Sequence, residues 1–145
     1  MTIFSNSPKP TASPWGEPDL CEEVAPGIWW VSTPGHGGYL ISRQRLIAMP
    51  DDLKINRYGH GDQCAFEEDL EWSLVVAAWP SEFTGKDQNN ARACLRFWAR
   101  MCPGNVDVTA AALRYAPLAY CGAGMASFVD PSGSLQRAGL LVVQS

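Results

Sequence analysis

Residues 66–80, FEEDLEWSLVVAAWP, constrain the chain more than any other stretch. Four carboxylates, Glu67, Glu68, Asp69 and Glu71, precede an almost unbroken apolar run from Trp72 to Trp79. No other segment is both long enough and apolar enough to stand at the centre of a core. The pattern predicts a helix that is apolar nearly all round and therefore buried on several sides. Its acids fall in the first two turns, where the helix dipole favours negative charge by ~0.3–1 kcal/mol each. Pro80 ends it. The expected core contains Trp30, Leu70, Trp72, Leu74, Val75, Leu95 and Trp98.

A chain of 145 residues with 46% apolar and 18% charged residues is a single globular domain rather than a disordered segment. It can bury about two-thirds of its unfolded surface and needs neither disulfide nor metal to fold. Residues 1–14, rich in serine and proline, read as an extended arm, and residues 15–145 as one α+β domain. Trp15 closes the arm and is expected to anchor it to the body.

Residues 20–25 and 28–33 read as two strands joined by a tight Pro26-Gly27 turn, with a third strand at 39–41. Ser42 can cap a short helix, RQRLIAM, that ends at Pro50. Residues 51–63 form a polar loop around Gly59-His60-Gly61. A second clear helix follows Asn89 or Asn90, and a third follows Asp107 and runs to Tyr115. Residues 126–129 and 139–143 suit a hairpin closed by Asp130-Pro131-Ser132-Gly133. The expected architecture is a small antiparallel sheet with a C-terminal hairpin, packed on two to three helices.

Three features could carry chemistry. The first is Ser32-Thr33-Pro34-Gly35-His36-Gly37-Gly38, a glycine-rich loop after a strand. Glycine suits positions of positive φ or close backbone approach, so the loop could present N–H groups and an imidazole to an anion, or could simply be a tight hairpin. The second is the carboxylate cluster. Glu67 and Glu71 share a helix face at i, i+4, with Glu68 beside them, and with His36 they form a candidate acid–base set. His60 and Asp62 come from the neighbouring loop. No metal-binding spacing is present, so no metal and no cofactor is expected. The third is Arg92, Arg96 and Arg100, a stripe at i, i+4, i+8 that either pairs with the chain's own acids or grips an anionic partner.

The net charge of −4 has the wrong sign for a general nucleic-acid binder. It is unevenly spread: residues 20–80 carry nine acids against four bases, and residues 81–102 four bases against two acids. The five cysteines contain no CxxC pair and read as reduced thiols. Cys64 is placed near a helix N-terminus, where a thiol pKa would fall. The first residues lack the apolar core of a signal peptide, and no apolar stretch reaches the ~18 residues of a membrane span.

The order Pro14-Trp15-Gly16, Ala25-Pro26-Gly27-Ile28, Ser32-Thr33-Pro34 with His36-Gly37-Gly38, Met49-Pro50 and Phe66-Glu67-Glu68-Asp69 with Trp72 resembles an uncharacterised small domain of proteobacterial plasmids, phages and integrated elements. The likeness covers residues 14–80. Members commonly carry a cysteine after the EED triad, where this chain has Leu70, which argues against a thiol mechanism. The resemblance implies a mobile-element setting in the cytoplasm of a bacterial host. By analogy with small acidic proteins of that setting, the expected function is inhibition of a host defence system, of the anti-CRISPR or anti-restriction type, by occluding a host protein. That partner is expected to be a nucleic-acid-binding defence complex. The partner-facing candidates are Asp51, Asp52, His60, Asp62, Glu67, Glu68, Arg92, Arg96 and Arg100. The alternatives are an enzyme using His36 with a carboxylate of the 67–71 cluster, and nucleic-acid binding through the arginine stripe.

Overall fold

The computed structural model describes residues 3–55 and 64–118, together with the backbone of Ser127–Val129 and Leu135–Arg137. The fold is α+β. Strands β1 (Leu20–Ala25), β2 (Ile28–Ser32) and β3 (Gly37–Ile41) form an antiparallel meander, and β4 (Ala65–Glu67) pairs antiparallel with β3. Gly27 makes the β1–β2 turn at φ +82°, and a Cβ there would lie 2.7 Å from Ser42 Oγ. The turn therefore requires glycine twice over, for its backbone conformation and for its contact with the start of the first helix.

Helix α1 (Arg43–Ala48) starts at Ser42, whose side chain accepts from the Arg45 N–H. A single 3-10 turn, Asp51–Leu53, follows. Helix α2 (Trp72–Ala78) leads through a 3-10 turn at Pro80–Glu82 into α3 (Gly85–Met101), and α4 (Val106–Tyr115) packs back on α3. β5 (Ser127–Val129) and β6 (Leu135–Arg137) form a separate two-stranded antiparallel sheet.

The apolar run organises the core as expected. Leu74, Val75 and Val76 of α2 form one core cluster with Leu95 and Trp98 of α3 and Val108 and Ala111 of α4, all fully or almost fully buried. Burying each large side chain of this kind is worth about 1.5–3 kcal/mol. Leu70 and Trp72 are partly buried against this cluster. Trp30 is half-buried on the sheet, edge-on to Tyr39 with ring centroids 4.9 Å apart.

The acidic start is where the structure departs from the sequence reading. Residues 65–67 are a strand, residues 68–71 a turn, and the helix begins only at Trp72. The carboxylates are thus not stacked on a helix face. Two caps also differ. Thr84 caps α3 by accepting from Asp87 N–H, so this helix starts several residues before Asn89, and Asn105 rather than Asp107 caps α4. In both cases the competing polar residue lies inside the helix, and the cap goes to the residue whose extended backbone aims its oxygen back at the free N–H groups. A C-terminal hairpin is present, its strands at Ser127–Val129 and Leu135–Arg137, while the expected turn at 130–133 and strand at 139–143 lie outside the described residues; the fourth strand of the main sheet is β4.

Candidate functional site

The glycine loop, Trp15 and the start of the acidic stretch meet at one corner of the sheet. Thr33 N–H donates to His36 O at 2.8 Å, and its hydroxyl donates to the same oxygen at 2.7 Å while accepting from His36 N–H. These bonds close the β2–β3 turn and leave the imidazole outside it. Gly38 then pairs with Glu67 in β4. A Cβ on Gly38 would lie 2.2 Å from Phe66 O and 2.8 Å from Trp15 Cη2, and one on Gly37 2.6 Å from Val31 O. Both glycines are buried. The close approach that the loop permits is therefore an approach to the protein's own strand and to the anchoring tryptophan.

Glu67 and Glu71 are buried and bonded to backbone. The Glu67 carboxylate accepts from the N–H groups of Asp69, Leu70 and Glu71, and Glu71 Oε1 accepts from Glu67 N–H at 3.2 Å. This reciprocal arrangement resembles a capping box. It satisfies the donors of the turn that carries the chain from β4 into α2. Glu68, on the outer side of the same turn, brings Oε1 within 3.8 Å of His36 Nδ1. Side-chain exposure of 67% for His36 and 38% for Glu68 leaves this pair in water. The arrangement offers an imidazole and a carboxylate on a rigid corner, with little to exclude solvent from a reaction there. Among the described residues no three His, Cys, Asp or Glu side chains converge as a metal site.

The other sequence candidates disperse. Asp52 is held by α4, accepting from Arg114 Nη1 at 2.9 Å and from Tyr115 O–H at 2.7 Å. Burial and this carboxylate raise the Tyr115 pKa. Asp51, almost wholly exposed, pairs with Lys54. His60 and Asp62 lie outside the described residues. Arg92 donates to Asn89, and Arg96 donates to Ala116 O at 3.2 Å. Among the described residues, none of Arg92, Arg96 and Arg100 forms an ion pair with a carboxylate. Burial first, and then the charges of Arg92 and Arg100, lower the pKa of Arg96. Along one side of this arginine stripe α3 exposes Phe97 (48%) and Met101 (64%), and α4 exposes Val106 and Leu113.

Cys21, Cys64, Cys94 and Cys102 are in no disulfide. Cys64 precedes β4 and not a helix, which removes the dipole expected to activate it. The Cys94 thiol is pushed up, chiefly by burial.

Arg45 is the residue whose importance the sequence did not signal. It is wholly buried, with Nε donating to Pro26 O at 2.9 Å and Nη2 to Glu82 Oε2 at 2.7 Å. Its spacing of four from Met49 places both on the inner side of α1, a signal too short in a six-residue helix to outweigh the charge.

No curated protein and no solved structure matches the chain. The match to a known family runs over residues 8–104, beyond the motif-bearing half of the chain and through α3. It takes in every residue of the corner just described. The chain belongs to the DUF7007 family, a domain of unknown function.

Proposed function

We propose that this protein is a protein-binding module of a mobile genetic element, and that it inhibits a host defence complex of the anti-CRISPR or anti-restriction type by occluding it. The observation that carries the binding role is the outer face of α3, where exposed Phe97 and Met101 flank the stripe of Arg92, Arg96 and Arg100. Aromatic residues, methionine and arginine are the types enriched where proteins dock, and arginines that form no ion pair among the described residues suit an acidic partner on another protein. The acids give less to this role. Glu67 is committed to its turn and Asp52 to α4, which leaves Glu68 and Asp51 as the exposed acidic candidates among the described residues. The mobile-element setting and the choice of a defence target rest on the resemblance of the PWG, STPxHGG and FEED segments and on analogy.

Photo-crosslinking from position 97 of the full chain, in a host lysate at physiological salt, tests the proposal. The expected product is one specific host protein joined through α3, and capture falls at least tenfold in Phe97→Asp and Met101→Asp. Capture that is unchanged by both substitutions, or no specific product, overturns it. Direct nucleic-acid binding is a second reading, supported by the same unpaired arginines. It requires affinity to fall steeply between 50 and 200 mM salt, as phosphate contacts do.

A further inference from the structure

Helix α4 is apolar on two opposite faces. Val108, Ala111 and Ala112 turn into the core and are at most 7% exposed. Val106 and Leu113 are 75% and 74% exposed, and Ala110 between them is exposed as well. At about 100° per residue, Val106, Ala110 and Leu113 fall within about 60° of one another, directly behind the core-facing side. A helix apolar on both sides is one that is covered on both sides, yet no element among the described residues covers this stripe. Its edge is charged. Asp107 and Arg114, seven residues apart, each follow an apolar member of the stripe and so lie along the same flank. Asp107 forms no ion pair among the described residues. Arg114 gives Nη1 to Asp52 at 2.9 Å, but its side chain is 69% exposed and carries further donors.

The stripe is complementary to itself. Val106, Ala110 and Leu113 take the d, a and d positions of a heptad, and Asp107 and Arg114 the e positions. When two such helices cross antiparallel over Ala110, its small side chain lets the axes approach to about 8 Å, and Val106 of each copy meets Leu113 of the other. Antiparallel packing also brings like flanks together in reverse order, so Asp107 of each copy meets Arg114 of the other. A parallel pair would set Arg114 against Thr109 and leave both charges unanswered. Identical helices related in this way obey a two-fold axis, which closes the assembly at two chains. We propose that the outer face of α4 is an interface between two copies of this protein, packed antiparallel about Ala110 with an Asp107–Arg114 pair at each end. The ten residues of α4 bury less than a standard interface does, so the dimer is a weak one, with a Kd in the micromolar range.

Sedimentation velocity of the full chain over a micromolar concentration series tests this. The average mass is expected to rise with concentration from 15.8 kDa toward twice that value. Leu113→Asp and Ala110→Glu, both at exposed positions, are expected to weaken association at least tenfold at unchanged melting temperature. Asp107→Arg and Arg114→Asp each set like charges opposite one another and are expected to be monomeric alone. Mixed in equal amounts they restore both pairs, and the two variants should associate at least tenfold more tightly with each other than either does with itself. Arg114→Asp also loses its bond to Asp52, so its fold is checked by circular dichroism. A parent chain that stays monomeric overturns the proposal, whether residues 119–145 or another protein then cover the stripe. So does a dimer that survives Leu113→Asp, and so does a mixture of the folded charge variants no tighter than its separate components. Host capture from position 97 should be the same in Leu113→Asp as in the parent, which tells a failure here from a failure of the α3 reading.

Discussion

Gly38 sets how closely β3 can approach β4. With a Cβ position 2.2 Å from Phe66 O, any side chain must push the strand or Trp15 away. Gly38→Ala is expected to lose about 1–3 kcal/mol, the usual cost of overpacking, measured by urea unfolding. Gly35, three residues earlier, has open space where its Cβ would go, so Gly35→Ala should stay within about 0.5 kcal/mol of the parent. The contrast separates glycine as a packing requirement from glycine as loop composition. The sequence announced that backbone would come close to something here. It could not say that the something was the protein's own fourth strand, because β4 is three residues long and carries no readable alternation.

At the scale of elements, the turn between β4 and α2 is the joint of the fold. A strand and a helix meet there in four residues, and their free N–H groups are gathered by the Glu67 carboxylate. Glu67→Ala would leave three N–H groups short of an acceptor, one of them on wholly buried Glu71. The expected loss is about 2–3 kcal/mol, at the upper end for unsatisfied buried groups, read as a lower urea midpoint with unchanged slope. Glu68→Gln, on the exposed side of the same turn, should change stability by no more than about 0.5 kcal/mol. The four acids were legible as a group, but their division of labour was not. Helical spacing and turn spacing both bring residues 67 and 71 together, and only the pairing of β4 with β3 selects the turn.

At the scale of the whole molecule, sheet and helices meet around Tyr39, which is edge-on to Trp30 on one side and to Phe83 on the other. Burial, and then the negative charges of Asp87 and Glu22, push its pKa from 10.0 up to about 12. The folded chain therefore keeps this proton where the unfolded chain has lost it. The stability held by the neutral phenol is complete below pH 10.0 and lost as pH rises toward about 12. Melting temperature should accordingly fall over that window, and Tyr39→Phe should flatten the fall. An identical alkaline limb in the two proteins would show that Tyr39 does not govern it. The molecule also fixes which charges are available. Asp52 and Glu67 are spent on the fold, Arg45 is enclosed beneath the arm, and the arginines of α3 remain at the surface.

By itself the sequence determined the fold class, the β1–β2–β3 meander around Pro26-Gly27, and α2 as the spine of the core. Each rests on local signals: alternation, turn chemistry and one long apolar run. Tertiary structure alone decided that Glu67 and Glu71 are buried, that His36 reaches Glu68, that Thr84 rather than Asn89 begins α3, and that Arg45 is a core residue. These depend on which backbone donors and which rings come within a few ångströms of one another. Residues far apart in the chain, such as Phe4, Arg45 and Trp79, acquire that relation only when the sheet and the helices close upon each other.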